Sequence, residues 1–195
     1  GAQNERLGFL SLGLGLGYNE LLIACETLKL GFKKDLQILS YESDPRLKNN
    51  FLEWLAGREV EFDDTYNLMF SFFVRDYGAT ATLAREKLLE LANNQNWLLE
   101  GALTRESIVS FPANGILYDA FSSTTSPDLW TDDFLNVFFE KSAASESMIA
   151  TYACTSVLKR AEQKAGFQFE RRPGFAGKRN SSRGLRLPET GPSNS

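Results

Sequence analysis

The sequence predicts an α/β fold: a doubly wound, mostly parallel seven-stranded sheet with helices on both faces and an antiparallel last strand. Three observations predict it. An apolar run, Leu7 to Leu12, gives way to glycines at alternate positions, Gly13, Gly15 and Gly17, and then to a polar helix start. A second apolar run, Leu36 to Tyr41, ends in an acid, Glu42, and is followed by the helix start Asp44-Pro45. Strand-like and helix-like patterns then alternate toward the C-terminus, which is the signature of crossover-connected strands. The 195 residues suffice for one domain with a substantial core. We expect a single domain over 1–187 and a Pro/Gly/Ser-rich tail over 188–195 that frays.

Each element has a local reason. Asn19 to Leu30 is an apolar-rich helix closed by Gly31, and Asp44 caps a helix that stops at Gly57. Residues 58–79 are aromatic and acidic with no clean period. They fit either a helix facing the substrate or a hydrophobic cover for the sheet. Thr82 to Asn93 is amphipathic with charge partners four apart. Trp97 to Glu100 reads as a short strand ending at Gly101, and Gly115 to Phe121 as a buried strand running into Asp119. Ser126-Pro127 is a turn, and Thr131 with Asp132 and Asp133 opens a helix to about Lys141. Met148 to Tyr152 is a strand, Thr155 to Ala165 a helix closed by Gly166, and Phe167 to Arg172 a strand. Arg183 to Leu187 returns as the antiparallel last strand.

Composition narrows the chemistry. The chain has no histidine, which excludes His-based triads and His metal sites and leaves any general base to a carboxylate or a tyrosine. Cys25 and Cys154 stand in no metal-ligand spacing and are expected as buried free thiols, so no metal is expected and a reducing cytoplasm fits. No apolar run approaches the length of a membrane span. The net charge is −4, yet cations crowd the C-terminal part: Lys159, Arg160, Lys164, Arg171, Arg172, Lys178, Arg179, Arg183 and Arg186. That surface fits RNA backbone contact and equally a solvated tail.

The glycine-rich turn carries the strongest functional signal. Glycine is needed where the chain takes positive φ or where a ligand approaches the backbone, and free N–H groups at the helix start make a polar cradle. A dinucleotide fingerprint beginning at Gly13 or Gly15 needs glycine at 18 or 20, where Tyr18 and Glu20 stand. The run G-x-G-x-G resembles instead the loop of class I S-adenosylmethionine methyltransferases, a Rossmann-like fold. Glu42, at the end of the second strand, has lone pairs enough to accept from both hydroxyls of a ribose. The alternatives are a purely structural turn and a surface acid.

The second half resembles the MnmC-like family of tRNA wobble-uridine (5-methylaminomethyl-2-thiouridine) methyltransferase domains. The resemblance rests on Asp119-Ala120-Phe121 followed by Ser126-Pro127-Asp128-Leu129-Trp130-Thr131. It continues through Ala150-Thr151-Tyr152, Ala165-Gly166-Phe167, and Arg172-Pro173-Gly174-Phe175-Ala176-Gly177-Lys178-Arg179. The chain departs from the family at Ser11, where members carry an acid, and at Ala102, where a polar residue is common. The resemblance implies a tRNA-modifying enzyme that uses S-adenosyl-L-methionine, held by Gly13, Gly15, Gly17, Asn19, Glu42 and Gly101. It implies Asp119 as the catalytic acid/base. Phe121, Trp130 and Tyr152 would wall a flipped-out base, and Arg171, Arg172, Lys178 and Arg179 would hold anticodon-arm phosphates. Two other readings stay open: a binding or scaffold protein without turnover, favoured by Ser11 and Ala102, and a small-molecule N- or O-methyltransferase, which the acidic net charge suits.

Overall fold

The computed structural model describes residues 6–33, 35–119, 126–173 and 180–188. Among them seven strands pair in the order β3-β2-β1-β4-β5-β7-β6. The strands are β1 (Arg6–Leu12), β2 (Asp35–Tyr41), β3 (Trp97–Glu100), β4 (Ala113–Tyr118), β5 (Ala143–Thr151), β6 (Gln168–Pro173) and β7 (Asn180–Arg186). The helices are α1 (Tyr18–Lys29), α2 (Pro45–Leu55), α3 (Asp63–Tyr77), α4 (Ala79–Asn93), α5 (Asp132–Ser142) and α6 (Ser156–Lys164). β2 and β3 run parallel, as do β4 and β5, while β7 is antiparallel to both its neighbours. The expected mostly parallel sheet with an antiparallel last strand is therefore present. Contacts cluster into two compact units, Gly1–Leu7 with Ser11–Leu103, and Gly8–Leu10 with Thr104–Ser195.

In the first unit the core is aromatic. Phe51, Trp54 and Tyr66 are almost completely buried, and Phe51 lies 5.9 Å from the ring of Trp97 and 5.7 Å from that of Tyr66. The difficult stretch 58–79 is largely helix α3. Its buried stripe, Tyr66, Met69 and Phe73, follows helical spacing and packs toward α2 and α4. Trp54 donates its indole N–H to Asn67 Oδ1 at 2.9 Å, and the Phe73 ring sits 4.9 Å from Tyr18. Gly78, at φ +57, separates α3 from α4, which starts at Ala79 rather than Thr82.

In the second unit α5 and α6 pack on each other. Phe138 and Phe139 each meet the Tyr118 ring at 5.9 Å, and Phe139 meets Phe167 at 6.2 Å. The predicted Asp44 cap forms, Oδ1 accepting from Arg46 N, and the helix starts at Thr131 and Thr155 are capped too, Thr131 Oγ1 accepting from Phe134 N and Thr155 Oγ1 from Leu158 N. β5 begins at Ala143, directly after α5, five residues before the predicted start at Met148. β7 spans Asn180–Arg186 rather than 183–187. Cys25 is buried as expected, but Cys154 is exposed. It lies in the turn between β5 and the Thr155 cap and not in a helix, so no element covers it.

Candidate functional site

The glycine turn is fastened to the ends of two strands. Gly13 N and Leu14 N both donate to Tyr41 O at 3.1 Å, and Gly17 N donates to Leu14 O at 2.8 Å. Glu42, 4% exposed, then acts as a clamp: Oε2 accepts from Gly15 N at 2.9 Å and Oε1 from Asp44 N at 2.9 Å. Its own N–H is shared between Glu100 O and Gly101 O, both at 3.2 Å. Gly13, Gly15, Gly17, Glu42 and Gly101 thus form one connected arrangement, with Asn19 in the first turn of α1. Each Glu42 oxygen keeps a lone pair, so the carboxylate can hold the loop and still accept further hydroxyls.

Two glycines differ in why they are glycine. At Gly17, φ +75, an added Cβ would lie 2.1 Å from the Phe51 ring, so this residue is required by close packing. At Gly15, φ +53, nothing lies within 4 Å of an added Cβ, so the backbone faces open space. Gly101 is equally open. An open backbone beside a carboxylate that retains acceptor capacity fits a cofactor bearing a ribose.

Beneath the turn lies a residue that the sequence reading passed over. Glu20 is completely buried in the first turn of α1. Ser40 Oγ donates to its Oε1 at 2.7 Å, and Trp97 Nε1 donates to Ser40 Oγ at 3.0 Å. Its Oε2 and the buried Ser11 Oγ have no hydrogen bond of normal geometry, although Ser11 is near enough to favour the ionised acid. Burial pushes the Glu20 carboxyl up to about 7, against the opposing effect of Ser40 and then Ser11, and Glu42 adds a small upward push. An acid in a first helical turn is ordinary in sequence, because it complements the helix dipole. The available signal was its position three residues after the last glycine, within an otherwise apolar helix face.

In the second unit Asp119 follows β4, half-buried, and its Oδ1 accepts a long hydrogen bond of 3.4 Å from Tyr152 N. Tyr152 is 50% exposed. Trp130 packs edge-on against Tyr118 at 5.2 Å, and Tyr118 donates to Leu129 O at 2.6 Å, so Trp130 has a structural partner on the turn before α5. Phe121, Lys178 and Arg179 lie outside the described residues.

The basic surface is less available than the sequence alone implies. Arg171 and Arg172 are neighbours on strand β6, so their side chains point to opposite faces. Arg172 and Arg183 both pair with Glu170, at 3.3 and 2.5 Å. Arg160 pairs with Asp132 at 2.9 Å, and Arg186 donates to Ala165 O and Ala143 O.

The comparisons with known proteins agree with this geometry. Residues 80–186 match the family described as S-adenosyl-L-methionine-dependent methyltransferase. The tRNA 5-methylaminomethyl-2-thiouridine biosynthesis bifunctional protein MnmC of Azoarcus sp. (strain BH72) is 35% identical over 75 residues. That alignment covers 38% of this chain but only 12% of that protein. Among solved structures, MNMC2 from Aquifex aeolicus superposes with a TM-score of 0.60 at 19% identity, covering 94% of this chain and 55% of that one. A putative O-methyltransferase from Nostoc punctiforme gives a TM-score of 0.53 at 10% identity, covering 94% of this chain and 53% of that one. These likenesses support the Rossmann-like methyltransferase fold. Among the described residues no helix is long and apolar enough to cross a membrane. With the fold, the glycine turn and the family match in agreement, the chain belongs to the S-adenosyl-L-methionine-dependent methyltransferase family, and its cofactor is S-adenosyl-L-methionine.

Proposed function

We propose that this chain transfers a methyl group to an aminomethyl nitrogen on the wobble uridine of tRNA, with residues 1–187 acting as a single methyltransferase domain. The substrate reading is carried by the 35% identity over 75 residues to an MnmC protein, since the family alone leaves the acceptor open. When bound, S-adenosyl-L-methionine supplies an electrophilic methyl group on a sulfonium. Glu42 holds the ribose while its bonds to Gly15 and Asp44 keep the loop in shape. Gly13, Gly15, Gly17, Asn19 and Gly101 form the rest of the cradle.

Asp119 would orient the acceptor amine and take the proton lost on transfer. With no histidine in the chain, a carboxylate is the available base near neutrality. Tyr152 offers an exposed ring for stacking on an unpaired base, and Trp130, packed on Tyr118, stiffens the turn before α5. Lys178, Arg179 and whichever of Arg171 and Arg172 faces the tRNA supply phosphate contacts, and the cytoplasm is the proposed compartment.

The test is transfer of labelled methyl from the cofactor to tRNA carrying the unmethylated aminomethyl group. Label in wild-type reactions, absent with Asp119→Asn at a cofactor affinity within about tenfold of wild type, supports the reading. Label in small amines but not in tRNA replaces it with a small-molecule methyltransferase. Cofactor binding with no transfer to any acceptor replaces it with a scaffold.

A further inference from the structure

Glu20 is a charge without a counter-charge. It is completely buried, three residues beyond Gly17, at the start of the helix that the glycine turn feeds. The groups of normal or near-normal reach are Ser11 on β1, Ser40 on β2 and, through Ser40, Trp97 on β3; all are neutral. Among the described residues the one charge that influences it is Glu42 at the end of β2, which carries the same sign. One carboxyl oxygen is used by Ser40, and the other, Oε2, like Ser11 Oγ, makes no hydrogen bond of normal geometry, although Ser11 and the Glu20 backbone N–H are near enough to favour the anion. A buried acid in this setting holds its proton above the ordinary carboxylate range, and an arriving positive charge favours its release. Its carboxyl is poised accordingly, pushed up to about 7 by burial.

The ligand of the adjoining turn brings that positive charge. S-adenosyl-L-methionine carries a sulfonium and an ammonium against one carboxylate, so it enters with a net positive charge. We propose that Glu20 is the carboxylate that balances the cationic cofactor, and that it releases its proton to solvent as the cofactor binds. This rests on the cofactor reading of the glycine turn. The step is an acid dissociation: the Glu20 O–H bond breaks, the electron pair stays on the carboxylate and the proton passes to buffer. The Ser40 hydrogen bond already points at Oε1 and stabilises the anion once it forms. By linkage, a group that loses a proton on binding makes affinity rise with pH until it is fully ionised.

After methyl transfer the sulfonium charge is gone. S-adenosylhomocysteine is one positive charge poorer than the cofactor and gives Glu20 less reason to ionise. Glu20 thus favours the charged cofactor over the spent product, a specificity role at a residue that need not touch the reacting atoms.

The experiment is calorimetry of cofactor binding in buffers of different ionisation enthalpy, which counts protons released per ligand bound. Near pH 7 the wild-type chain should release roughly half a proton more with S-adenosyl-L-methionine than with S-adenosylhomocysteine, as expected for a half-protonated group driven to ionise. Glu20→Gln keeps the shape and removes the titrating proton, so its two ligands should differ by no protons. Cofactor binding by wild type with equal proton release for the two ligands overturns the proposal and leaves the cofactor site standing. The same difference in Glu20→Gln as in wild type assigns the proton elsewhere and also overturns it. A wild-type chain that binds neither ligand overturns the site reading and this proposal together. The wild-type comparison needs no substitution, so it decides the matter even where Glu20→Gln does not fold.

Discussion

Gly17 and Gly15 stand two residues apart in one turn and are glycine for different reasons. A methyl group at 17 meets the Phe51 ring, itself completely buried among Trp54, Tyr66 and Trp97. Gly17→Ala should therefore cost about 2–4 kcal/mol of folding stability, read as a lower urea midpoint, from overpacking plus an unfavourable positive φ. Gly15→Ala meets no atom and should cost about 1 kcal/mol, from its positive φ alone. If the two variants lose stability equally, the packing explanation for Gly17 is wrong. The alternation of glycines was legible in the sequence. The division of labour between them was not, because it depends on Phe51, thirty-four residues away in the chain. Glu20 was illegible for a related reason. Its meaning comes from Ser40 and Trp97, which the sheet brings to it.

At the scale of elements, the parts with local causes were readable and those with distant causes were not. Three helix starts were marked by Asp44, Thr131 and Thr155, and all three side chains cap as their chemistry requires. Helix α3 was obscured because Leu68, Phe72 and Val74 remain exposed, so apolar residues line its outer face as well as the buried stripe. The basic C-terminal stretch depends on distant causes as well. A strand sends neighbours to opposite faces, and one acid, Glu170, occupies both Arg172 and Arg183. A binding prediction follows for β6. If tRNA lies on one face of this strand, only one of Arg171→Ala and Arg172→Ala should flatten the salt dependence of tRNA binding, by about 0.7–0.9 log units per decade. Equal flattening by both would show that RNA wraps the strand edge.

For the molecule as a whole, two buried acids set the dependence of stability on pH. Glu162 on α6 is completely buried with neither oxygen hydrogen-bonded, and burial pushes its carboxyl up to about 7. Gly184 makes room for it, since a Cβ there would lie 2.8 Å from Glu162 Oε2. Glu20 is raised likewise. Both acids hold their protons more tightly folded than unfolded, where the ordinary value is 4.5. Their favourable contribution is complete below that value and is lost as pH rises through about 7. The loss amounts to at most about 3 kcal/mol per group. The melting temperature should be higher near about pH 5 than near about pH 8, and Glu162→Gln should raise it at the higher pH and flatten the profile. A melting temperature that climbs across that interval, or a Glu162→Gln variant weakened equally at both ends, would contradict this assignment.

The central claim is that the glycine turn and Glu42 hold S-adenosyl-L-methionine. Titration calorimetry of the purified chain with that cofactor tests it most directly. The expected dissociation constant is in the micromolar range, and binding is lost in Gly15→Val, where a branched side chain stands on the open approach surface. No heat of binding up to millimolar cofactor, or an affinity unchanged by Gly15→Val, would contradict it.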